Sequence, residues 1–134
     1  MSHRIEKKVI ATDKAPKAIG PYSAGIQAGQ FVFTAGQVGI DPTTGNIVSG
    51  GIEAETRQAL TNVSNILEAA GSSLANVVKT TVFMSDLKDF SRMNTVYAEF
   101  FPQNSPARSA FQVAALPKGA AVEIETIAIV PEAN

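Results

Sequence analysis

The stretch "AVEIETIAIV" (residues 121–130) decides how this chain folds. At the two-residue period of an extended strand, Val122, Ile124, Thr126, Ala128 and Val130 fall on one side. Ala121, Ile127 and Ile129 fall on the other, beside Glu123 and Glu125. A strand with one solvated face alternates cleanly between apolar and polar. Here both faces are partly apolar, so both need cover.

Working outward, "NVVKTTVFM" (76–84) is rich in β-branched residues and predicts a central strand. "RSAFQVA" (108–114) predicts another, and "PKG" (117–119) turns the chain into the last one. Upstream, "GIQAG" and "FVFTAGQ" flank a turn at 28–30 and read as a hairpin. "KKVIAT" (7–12) is a short strand. "DKAPKAIGPYS" (13–23) is a loop, because Pro16, Gly20 and Pro21 exclude regular structure, and "DPTTGN" (41–46) is a turn. From Ile52 the period becomes helical: Ala59, Leu60, Val63, Ile66, Leu67 and Ala70 continue one stripe for roughly five turns, and Gly71 stops it. A second helix follows "DLKDF", with Asp86 or Asp89 as its cap. Its stripe is Phe90, Met93, Val96, Tyr97, Phe100 and Phe101, and Pro102 ends it. The order β-β-β-α-β-α-β-β is an α+β domain over 1–134, a mostly antiparallel sheet with both helices on one face. No helical segment remains for the other face, so a second copy of the chain is expected there.

The totals narrow the chemistry. With no cysteine there is no disulfide, thiolate nucleophile or Cys-ligated metal, which suits a reducing cytoplasm. The single histidine, His3, supports neither a His-based metal site nor a Ser-His-Asp triad. A net charge of −1 lacks the basic excess with which nucleic-acid binders neutralise phosphates. No apolar run approaches the ~20 residues of a membrane span. Charged residues make up only 17% of the chain, which again points to surface covered by partners.

Arg108 stands out, as the only charge between Glu99 and Lys118. It is either a structural ion pair with Glu123 or Glu125, or a clamp whose planar fork matches a small carboxylate bidentately. Glu123 and Glu125 share a strand face about 6–7 Å apart. They read as a solvated face, or as a group that orients water and moves protons. Tyr22, on a loop pinned by Gly20 and Pro21, fills a gap or aims its hydroxyl into a site. Tyr97 reads as core, and Asn94 as a cap, a solvated residue or a local tie. The glycines of "GQVGIDPTTG" do not form a phosphate-cradling pattern and read as turn geometry.

Five stretches carry a resemblance: "AIGPYS" (18–23), "TAGQVGIDPTTG" (34–45), "EAAG" (68–71), "NVVKTTVFMSDLKDF" (76–90) and "PARSAFQVAALPKGAAVEIETIAI" (106–129). In this order, over nearly the whole chain, they resemble the Rid (YjgF-like) family of reactive-intermediate imine/enamine deaminases. Arg108 in the "PAR" motif points to the RidA type. The resemblance implies a chorismate-mutase-like fold and a homotrimer, with helices outside and sites between neighbouring subunits. It implies hydrolysis of 2-aminoacrylate, 2-iminopropanoate and 2-iminobutanoate to 2-oxo acids and ammonia, without metal or organic cofactor. Carried onto this sequence, Arg108 binds the substrate carboxylate and the Ala110 backbone holds the imine or amine nitrogen. Glu123 positions water and shuttles protons, and Tyr22 lines the pocket. Two departures stand: Ala110 replaces a frequent Cys, and Ser105 precedes "PAR" where many members have Phe. Two other functions compete: a non-catalytic small-carboxylate binding or chaperone-like protein, and an endoribonuclease or translation inhibitor. The acidic balance and the single histidine disfavour the latter.

Overall fold

A computed structural model describes residues 5–132, so His3 lies outside the described residues. The stretch 121–130 holds β7 (Val122–Ile129), inside the sheet. It pairs antiparallel with β5 (Val77–Met84) along one side. Along the other it pairs first with β3 (Phe31–Thr34) and then with the two-residue β4 (Gln37–Val38). β2 (Gly25–Ala28) joins β3, and β1 (Lys7–Ile10) joins β2 at one edge. At the opposite edge β6 (Ala107–Gln112) runs parallel to β5, giving the order β1-β2-β3-β7-β5-β6. Parallel neighbours need a crossover, and α2 (Phe90–Phe100) supplies it.

α1 (Gly51–Ala69) and α2 cover one face. Leu60, Val63 and Leu67 of α1 and Met93 of α2 share a core with Val82, Met84, Val122 and Ile124. α1 ends as expected: Gly71 adopts a left-handed φ of 80°, and its N–H donates to the Glu68 carbonyl. Asp86 caps the single 3-10 turn Leu87–Asp89 that feeds α2, by accepting from the Lys88 N–H. Asp89 stands at the N-cap position of α2 itself but makes no side-chain cap hydrogen bond there, so of the two candidates only Asp86 caps, and it caps the turn rather than α2.

Two features were not in the sequence reading. β4 is too short to show a period. It exists because the ladder along β7 is interrupted rather than ended at Ala35 and Gly36, with Thr34 Oγ1 accepting the Thr126 N–H at 3.0 Å. β6 begins one residue earlier and stops two earlier than expected, and β1 ends at Ile10 rather than 12.

The uncovered face is apolar, as predicted. Phe31, Phe33, Phe111 and Ile129 remain 37–52% exposed there. Phe83 and Phe111 stack with ring centroids 6.4 Å apart.

Candidate functional site

Arg108 sits on β6 in register with Thr80, a fully buried residue on the helix side of the sheet. Its side chain therefore runs towards α2, where it is partly buried. Nη1 donates to Asn94 Oδ1 at 2.7 Å. The guanidinium carbon lies 4.8 Å from the Tyr97 ring centroid and 5.3 Å from that of Phe90. The Tyr97 and Thr80 hydroxyls are 2.8 Å apart. Among the described residues no carboxylate lies within ion-pair distance of Arg108. The ion-pair reading with Glu123 or Glu125 is thus corrected: both glutamates alternate with the core residues of β7 and point away from the helices. Arg108 instead carries its charge against a neutral amide and two ring faces, leaving donors for an anion.

Glu123 occupies the wall of a cleft of about 460 Å³ that Tyr22, Ile19, Gln37, Val38 and Pro117 also line. Burial, and then the charge of Glu125, raise its pKa above the usual carboxylate value. Gly36 makes room for it, since a Cβ there would lie 2.8 Å from Glu123 Cδ. Gly39 is likewise a close approach, 2.8 Å from the Glu55 Cα. The turn reading of this glycine-rich stretch therefore holds for Gly45, with φ 76°, while Gly36 and Gly39 are there for space. Tyr22, half exposed at 52%, faces the same cleft from its loop, where its N–H donates to the Gly20 carbonyl at 2.8 Å.

The fold thus brings Tyr22 and Glu123 together and sets Arg108 apart from them on the helix side of the sheet. Ala110, two residues on along edge strand β6, shares the Arg108 face. Sequence reasoning missed Asn94 as the partner of Arg108. The signal was present in the spacing: Phe90, Asn94 and Tyr97 stand at i, i+4 and i+7 and share one helix face.

Residues 12–130 match the family model described as Endoribonuclease L-PSP. Over 123 residues the chain is 51% identical to the human protein named 2-iminobutanoate/2-iminopropanoate deaminase, covering 92% of this chain and 90% of that one. The chain belongs to this family, that of the Rid (YjgF-like) proteins. RidA from an Antarctic Psychrobacter superposes with a TM-score of 0.89 at 46% identity, covering 92% of this chain and 99% of that one. Escherichia coli TdcF, solved with bound serine, gives 0.88 at 46% identity, covering 91% and 98%. Among the described residues of this Rid protein no helix is long and apolar enough to cross a membrane.

Proposed function

We propose that this protein is a 2-imino acid deaminase, hydrolysing 2-iminopropanoate, 2-iminobutanoate and the enamine 2-aminoacrylate, after its tautomerisation, to 2-oxo acids and ammonia. The observation that carries this reading is the Arg108 guanidinium, held by a neutral amide with no acid beside it among the described residues. Such a fork binds a small carboxylate bidentately and fixes the adjacent imine carbon. A protonated imine carbon is already electrophilic. Water adds to it, its proton passing to Glu123, and a carbinolamine forms. Glu123 returns that proton to the nitrogen. The C–N bond then breaks as the carbinolamine hydroxyl gives its proton to the Glu123 carboxylate, so the carbonyl forms and ammonia leaves, and Glu123 passes the proton on to the released ammonia. A carboxyl with a raised pKa suits these transfers. The Tyr22 hydroxyl donates a hydrogen bond in the cleft, and the backbone of Ala110 holds the nitrogen.

In this reading the working form is a homotrimer in the cytoplasm. Its interfaces cover the apolar sheet face and bring Arg108 of one copy to the Tyr22–Glu123 cleft of another. What supports this is the separation of the two half-sites within one chain, together with the exposed Phe31, Phe33 and Phe111. The names of the relatives support the reaction.

The test generates 2-iminopropanoate from alanine with an amino-acid oxidase and follows 2-oxo acid release. Wild type should accelerate hydrolysis, and Arg108→Ala should return it to the spontaneous rate while keeping a three-copy mass in solution. Absence of acceleration by wild type would leave a carboxylate-binding protein. RNA cleavage persisting in the purified Arg108→Ala variant would instead support the endoribonuclease reading.

A further inference from the structure

A single hydrogen bond fixes one point of a guanidinium and leaves it free to swing about that point. The Arg108 side chain also has several rotatable bonds, and ordering them on binding substrate would weaken affinity. A second constraint is therefore needed, one that fixes the plane.

We infer that Tyr97 is a positioning residue for the reaction: its ring face holds the Arg108 guanidinium in the orientation in which Asn94 takes one donor and the others stay available to the substrate carboxylate. Of the two rings near Arg108, that of Tyr97 is closer, 4.8 against 5.3 Å. It is also the immobile one. Tyr97 is 6% exposed, its hydroxyl is tied to the fully buried Thr80, and its ring packs against the Phe101 ring at 4.7 Å between centroids. Phe90 is only partly buried at the start of α2. A cation over an aromatic face is attracted without being neutralised, unlike a cation beside a carboxylate. Tyr97 thus orients Arg108 while leaving its charge to the ligand. Burial raises the Tyr97 pKa, and the Thr80 hydrogen bond and then the nearby Arg108 charge oppose that rise.

The inference rests on Arg108 being the carboxylate clamp, and two readouts separate its failure from that of the proposed function. The first needs no turnover. In the native protein the Arg108 Nε–H resonance should be shifted upfield by the ring current, with slowed rotation of the guanidinium, and Tyr97→Leu should move it to the position of an unstacked arginine. The second uses pyruvate as probe. Tyr97→Leu should weaken pyruvate binding and lower kcat/KM by about 5- to 30-fold, mostly through KM, the range a partly desolvated cation–π contact supports. Tyr97→Phe keeps the ring and should restore both to near native. If Tyr97→Leu does not fold, the native resonance and the Tyr97→Phe variant decide. An unshifted Arg108 signal in the native protein, a Tyr97→Phe variant as impaired as an Arg108 variant, or a folded Tyr97→Leu with native binding and kcat/KM would each overturn the inference. Failure of wild type to bind pyruvate or hydrolyse the imine would overturn the functional reading instead, and the resonance alone would then settle whether Tyr97 orients Arg108.

Discussion

Arg108 and Glu123 face opposite sides of the same sheet. Arg108 is in register with Thr80 and reaches α2, whereas Glu123 projects from β7 between the core residues Val122 and Ile124, into the cleft that Tyr22 lines. A chemistry that uses both residues on one small molecule therefore needs two copies of the chain. In the proposed assembly, burial of the apolar sheet face would supply the driving force.

The Asn94–Arg108 hydrogen bond separates holding the clamp from silencing it. Asn94→Ala removes a charge-assisted bond, a loss of order 1.5–3 kcal/mol, and kcat/KM should fall by about tenfold or more. Asn94→Asp places a carboxylate where the amide stands. That variant should lose pyruvate binding more severely than the alanine, because Arg108 becomes internally paired, and its melting temperature should not fall. Calorimetric titration and thermal melts of both variants distinguish the two effects.

The pH dependence follows from the glutamates. Burial and Glu125 favour the neutral form of Glu123, so the acid limb of kcat/KM should lie above the pH of an ordinary carboxylate. Glu125→Gln removes the repelling charge and should shift that limb to lower pH. Glu123→Gln should abolish both activity and limb. For stability the sign is opposite to that of a salt-bridged acid. Folding raises this pKa, so ionising Glu123 costs nothing below its unfolded value and destabilises as pH rises through the folded one. Glu123→Gln should then melt higher than wild type at neutral pH and at about the same temperature in acid.

Gly36 and Gly39 lie three residues apart and should behave differently when replaced by alanine. The Cβ at 36 meets the mobile end of Glu123, which swings aside at a cost of roughly 1 kcal/mol or less. Activity should drop while the melting temperature barely changes. At 39 the Cβ meets the backbone of Glu55 on α1, which cannot move alone. There a loss of about 1–3 kcal/mol in stability is expected. Denaturant titration beside the imine assay checks both.

Much of this architecture was legible in the sequence. The two-residue period of 121–130 gave a strand apolar on both faces, the stripe from Ile52 to Ala70 gave α1, and the apolar residues on the second strand face gave a sheet face that no helix covers. Boundaries such as those of β6 depend on pairing partners far along the chain and were off by one or two residues. β4 was illegible because two residues carry no period, and its existence depends on Thr34 patching the ladder at Thr126. In the site, Arg108 was conspicuous as a lone charge. Its orientation was not, because strand parity fixes a face only once the register with Thr80 is known. Asn94 was read as a cap, a solvated residue or a local tie, because a polar residue beside an apolar stripe does not show which strand residue it meets. Gly36 was misread because sequence does not distinguish a glycine needed for φ from one needed for space.

The most direct test of a site shared between copies is subunit complementation. Arg108→Ala and Glu123→Gln chains, each inactive alone, are unfolded or dissociated together, reassembled as a mixture and assayed for release of 2-oxo acid from 2-iminopropanoate. A composite site predicts that activity reappears in the mixture, because some interfaces pair an intact Arg108 with an intact Glu123 from different chains. Mixed assemblies, verified by mass, that remain as inactive as either parent would contradict it.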